Sequence, residues 1–170
     1  MKNAYIQNNK AYIYAKDCIK SKEAPKYVKK QCKKFIEIAD GKNKKYCINE
    51  EKVKQIENVL RLLRMPKGLK AGESLYDCST NYQWLFYISI LAVVYREDKT
   101  RRRYETGILE ICRKNFKTYT VGTLFILLFL LEPRFSKFYS VAPDGTLSRE
   151  IKEAISETLK ASPLVYMYKD

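Results

Sequence analysis

Apolar residues recur at helical spacing through the first half of the chain. Residues 4–20 set Tyr5, Ile6, Ala11, Tyr12, Ala15 and Ile19 near one face, and after Pro25 residues 26–39 repeat the pattern with Tyr27, Val28, Cys32, Phe35, Ile36 and Ala39. Residues 41–46, GKNKKY, read as a loop. Asn49 then caps a helix with Glu50 and Glu51 in its first turn, which Pro66 and Gly68 bring to an end. A further helix is predicted over 77–95, apolar on most sides, with Gln83 beside the single Trp84.

The pattern changes in the second half. Residues 107–112 make a short apolar run with β-branched members, 113–118 (RKNFKT) interrupt it, and 119–131 are almost wholly apolar over a length that favours a buried helix. Alternation over 137–142, the Pro-Asp-Gly turn at 143–145, an amphipathic stretch over 146–161 and an apolar run at 164–168 complete a β-α-β-α-β order. That order predicts a parallel sheet with right-handed crossovers. The expected fold is therefore α/β: a basic helical N-terminal region, residues 1–70, followed over 71–170 by a partial P-loop NTPase sheet, the two forming one structural domain.

The 113–118 loop falls where open α/β sheets bind ligands, at the first turn from strand to helix. In a phosphate-binding loop the Lys ammonium reaches the β- and γ-phosphates and the adjacent hydroxyl ligates magnesium. Lys117 and Thr118 stand in those positions, but Ile111 and Phe116 occupy the two places where the motif has glycine. The same residues also suit a basic turn joining a strand to a core helix, and spacing alone leaves both readings open.

Charge and composition narrow the partners. Residues 1–70 carry 19 Lys and Arg against 7 Asp and Glu, whereas residues 71–170 carry 14 against 12. A cationic N-terminal part points to a polyanion such as nucleic acid, or to solvated lysine-rich helices that need no ligand. With no histidine, this chain offers no Ser-His or Cys-His nucleophile and no His-ligated metal. Five scattered cysteines fit a reducing cytoplasm better than a disulfide framework or zinc site. The opening residues lack the apolar core of a signal peptide, and the run at 121–131 is too short to span a bilayer, so no membrane role is expected.

The order RRRYETGILEICRKNFKT followed by LFILLFLLEPRFSKFYSVAPDGTLSRE resembles the ATPase region of the large terminase subunit of tailed bacteriophages. Tyr82-Gln83-Trp84, upstream of the loop, is similar to that family's arrangement too. The resemblance implies a motor that hydrolyses ATP to drive double-stranded DNA into a procapsid, working in the bacterial host cytoplasm with a terminase small subunit and a portal protein, and with self-association.

It also implies roles for particular residues. Lys117 would neutralise phosphate charge and Thr118 would hold Mg2+. Arg113 and Lys114 would lie against the phosphates, with Asn115 and Phe116 completing the loop, and Gln83 would read the adenine edge. Lys117 and Arg113 would be the catalytic pair. The family's acidic Walker B segment and its nuclease carboxylates have no counterpart in these residues, so the resemblance covers the part of a large subunit that precedes them. A second reading is a non-catalytic basic DNA-binding or assembly module with a vestigial phosphate loop. A complete small kinase or GTPase is disfavoured for want of a full site.

Overall fold

The computed structural model describes residues 4–112, 114–132, 136–143 and 145–163. They fall into two compact units, one drawn from residues 1–54 and 79–107 and the other from 55–78 and 108–170.

In the first unit the N-terminal periodicity becomes α1 (Ala4–Gln7), α2 (Lys10–Lys20) and α3 (Lys26–Ala39). Asn9 caps α2, its Oδ1 accepting from the Ala11 N–H at 2.9 Å, which satisfies one of the free donors of the first turn. Ala11 and Ala15 are fully buried, and their small side chains let α2 lie close against its neighbours. The phenol of Tyr12 donates to Asp40 Oδ1 at 2.8 Å, tying α2 to the end of α3. After a turn the chain forms β1 (Tyr46–Ile48) and enters α4 (Glu50–Leu62), with Asn49 Oδ1 accepting from the Glu51 and Lys52 N–H groups at 3.1 and 3.3 Å.

Later the chain returns to this unit as α6 (Asn81–Ala92) and β2 (Val93–Tyr95). α6 has no polar face. Trp84, Tyr87, Ile88, Leu91 and Ala92 are all buried, and α6 packs against α2.

The second unit holds the remainder of α4, α5 (Leu75–Cys78), α7 (Lys117–Leu131) and α8 (Gly145–Ala161). α7 and α8 pack together where Gly122 meets Ala154. Hydroxyls on buried turns find partners on their own helix. Thr158 donates to the Ala154 carbonyl at 2.8 Å and Ser162 to the Thr158 carbonyl at 2.6 Å, while Ser162 Oγ accepts from the Arg64 N–H at 2.9 Å.

The expected parallel β-α-β-α-β sheet is not the fold. Among the described residues the strands are β1 and β2, an antiparallel pair in the register Tyr46↔Tyr95, Cys47↔Val94, Ile48↔Val93, and the rest of the regular structure is helical. Both strands lie in segments read differently from sequence. The predicted 77–95 helix stops at Ala92, because Val93 and Val94 are β-branched residues with strand partners available in Ile48 and Cys47, and Tyr46 leaves the predicted loop to pair with Tyr95. Segments 107–112 and 137–142, the predicted strands around α7, join no ladder. Their exposed Ile108, Tyr139 and Val141 mark the reason: period-two alternation makes a segment eligible for a sheet, but a ladder also needs a neighbour to receive its N–H and C=O groups. The third predicted strand, 164–168, lies outside the described residues. Among the described residues, no helix is long and apolar enough to cross a membrane.

Candidate phosphate site at the start of α7

α7 begins without any of the usual caps. Phe116 is the N-cap residue in the left-handed conformation, φ 54° and ψ 30°, and makes no side-chain cap hydrogen bond. Lys114, two residues earlier, also has positive φ, 65°. Backbone of this kind is strained for residues bearing a Cβ and is the usual place for glycine. The second motif glycine is therefore replaced in sequence by Phe116 while its conformation is kept. A left-handed residue running into a right-handed helix turns successive N–H groups toward one concavity, which favours an anion.

Lys117 is the first residue of α7 and Thr118 the second, and the first turn contains no acidic side chain. The positive end of this 15-residue helix therefore has no carboxylate of its own, and the acidic groups beside it come from α8: Glu157, which bonds Tyr119, and Glu150 and Glu153, which line a cavity with Thr118. The Phe116 carbonyl is engaged from inside the helix, accepting from Thr120 N and Thr120 Oγ1 at 2.8 and 2.9 Å, so it is turned away from the concavity. Lys114, Asn115 and Lys117 are exposed and Thr118 is half-buried. Together with Cys112, Phe116 and Tyr119, residues Lys114, Lys117 and Thr118 line a cavity of about 350 Å³. Arg113 lies outside the described residues.

Phe116 gives a direct test of the strain. Phe116→Gly should stabilise the chain by about 0.5–1 kcal/mol, since removing left-handed strain outweighs the added freedom of the unfolded chain. The ring is 52% exposed and loses only a tilted contact with Tyr119 at 6.4 Å, so little burial opposes the gain. Thermal unfolding measures it, and a clear loss of stability would show that the ring packs more strongly than the backbone strains.

Gln83 sits elsewhere. It is the third residue of α6, in the other unit, and its Oε1 accepts from Thr80 N at 2.7 Å and lies 3.0 Å from Thr80 Oγ1, closing a capping box. The described loop residues, 114–118, are thus brought together by local sequence, whereas the adenine-reading residue expected from the resemblance is engaged in a helix cap.

Beside Thr118 a second cavity, about 200 Å³, brings in residues that the sequence reading passed over: Lys67, Tyr119, Glu150, Glu153 and Glu157. Lys67 Nζ donates to Glu157 Oε1 at 2.9 Å, and the Tyr119 hydroxyl donates a short hydrogen bond to Glu157 Oε2. Those two contacts, Tyr119 first and Lys67 second, hold the Glu157 carboxyl below its usual range. Burial, reinforced by Glu157, pushes the Tyr119 phenol up. No sequence signal pointed to this trio, because Lys67 and Glu157 are 90 residues apart.

The donor set fits magnesium only as a companion of phosphate. Among the described residues no three acidic or cysteine side chains stand close enough together to hold a metal ion. One threonine hydroxyl at a helix start is what Mg2+ uses when phosphate oxygens and water supply most of its octahedron. No family model, curated protein or solved structure matches the chain.

Proposed function

We propose that this chain is the nucleotide-binding part of an ATP-driven DNA-packaging motor of the terminase large-subunit kind, with ATP phosphates held at the start of α7. The observation that carries the reading is the left-handed Phe116 leading into Lys117 and Thr118 at the start of α7. This arrangement does not depend on a parallel sheet. The resemblance of residues 101–150 supplies the substrate and its purpose, with double-stranded DNA as the translocated polymer.

The chemistry follows from the charges. Lys117 neutralises the terminal phosphates, Lys114 adds a second cation on the loop, and Thr118 ligates the Mg2+ that accompanies them. Phosphoryl transfer asks mainly for positioning and charge stabilisation, and these residues supply the binding part of that requirement. Mg2+ held by Thr118 would supply further neutralisation of phosphate charge.

Calorimetric titration with Mg·ATP tests the proposal. Saturable binding is expected, and Lys117→Ala should weaken it at least tenfold, on the order of the 1.5–3 kcal/mol that a charge-assisted hydrogen bond contributes. A folded chain that binds no ATP would remove the nucleotide reading. The basic-module reading would then stand on the first unit, where α3 exposes Lys26, Lys30, Lys33, Lys34 and Tyr27, and where Arg101 and Arg103 lie 4.6 and 4.3 Å from the Tyr95 and Tyr46 ring centroids.

A further inference from the structure

Lys67 lies in the turn that joins α4 to α5, and backbone bonds fix that turn. The Met65 N–H donates to the Glu73 carbonyl and the Gly72 N–H to the Met65 carbonyl, each at 2.9 Å, and Gly68 and Gly72 supply the positive φ values, 93° and 85°, that so tight a path requires. The Arg64–Ser162 bond anchors the same turn to the end of α8. Lys67 therefore starts from a defined position, and its flexible stem carries a point charge to the first turn of α7.

There its ammonium lies 2.9 Å from both Glu157 oxygens and 5.6 Å from the centroid of the Tyr119 ring. Thr118 and Tyr119 line the cavity that contains Lys67, and the same two residues line the cavity that contains Lys114 and Lys117. The Lys67 cation and the two loop lysines thus line neighbouring cavities that share Thr118 and Tyr119.

Its present partner holds it lightly. The Lys67 side chain is 60% exposed and that of Glu157 41%, and a pair so open to water is weak and screened by salt. A polyphosphate in the neighbouring cavity brings several negative charges to within reach of the same stem. Glu150 and Glu153, on the α8 side, repel a bare anion, so a phosphate meets Lys67 at the Thr118 edge and not against α8.

We propose that Lys67 is a further phosphate-contacting residue, parked on Glu157 and Tyr119 and exchanged onto the ligand's phosphates when the α7 loop is filled. The inference rests on the nucleotide reading above and adds to it a residue outside the loop motif, together with a carboxylate that competes with the ligand for that residue.

A four-protein cycle tests it: the original chain, Lys67→Gln, Glu157→Gln and the double variant, each titrated calorimetrically with Mg·ATP and with Mg·tripolyphosphate, and each checked for folding by thermal unfolding. Lys67→Gln keeps most of the stem and should weaken both ligands about tenfold. Glu157→Gln removes the competing charge while leaving an acceptor for Tyr119, and should tighten both several-fold. That tightening should vanish in the double variant. Unchanged affinity in Lys67→Gln, or weakening by Glu157→Gln, would overturn the proposal and leave the trio as a structural clamp. If the original chain binds while Lys117→Ala does not, either result refutes the Lys67 inference alone. If the original chain binds neither ligand, both readings fall together.

Discussion

Trp84→Ala is expected to lower the stability of the first unit by about 3–5 kcal/mol, the range for removing a large aromatic side chain from a packed core. The indole has no exposed surface, on a helix whose other buried residues are Tyr87, Ile88, Leu91 and Ala92. Alanine is the better helix former, but that advantage is at most about 0.7 kcal/mol and cannot offset the cavity. The variant also loses the half-buried Lys10 ammonium placed 5.6 Å from the ring centroid, a contribution of about 0.5–2 kcal/mol. Because the chain has one Trp, unfolding in denaturant must be followed by far-ultraviolet circular dichroism rather than by fluorescence. A loss under about 1 kcal/mol would mean that the indole is not part of a well-packed core.

The second unit has its own sensitive point. A Cβ at Gly122 would lie 3.3 Å from Ala154 Cβ and 3.6 Å from the Ile155 nitrogen, atoms that cannot swing aside because they belong to α8 itself or stand next to its backbone. Two effects oppose each other when Gly122 is replaced by Leu. Helix propensity gains about 1 kcal/mol, while overpacking and the forced separation of α7 from α8 cost more, for a net loss of about 2 kcal/mol. Denaturant unfolding should show this loss, and adding Ala154→Gly should return part of it, since the two positions share one contact. Stability equal to that of the original chain would show that the helices do not depend on this close approach.

These two positions also mark how differently the halves of the chain can be read. Around Trp84 the sequence is explicit. An apolar run on all sides of a helical period implies burial, and Asn49 with Glu50 and Glu51 announces a helix start that the structure places there. At Gly122 nothing in the sequence distinguishes a glycine that admits a neighbouring helix from one that merely weakens its own.

The sheet was misread for a related reason. Residues 107–112 have the short β-branched apolar run of a strand and 137–142 the alternation, but pairing is a property of two segments, and the pairing that forms is between residues 46–48 and 93–95. The candidate loop was legible as a spacing: Lys117 and Thr118 stand at motif positions, while the left-handed backbone at Phe116, where the motif has glycine, could not be read from the sequence.

What the sequence determined by itself was local: the N-terminal helices, the lysines on the outer face of α3, the Asn49 cap, the buried helix around Trp84, a helix over 119–131, whose Phe129 and Leu130 are nevertheless exposed, and the order of the loop residues before α7. Such features depend on neighbours three or four residues apart, and on a short-range balance of burial against solvation. Tertiary structure alone decided which strands pair, that Gly122 faces Ala154, and that Lys67 and Glu157 meet beside Thr118. Each of those joins groups whose proximity follows from packing, because contact energy depends on distance in space and carries no trace of distance along the chain.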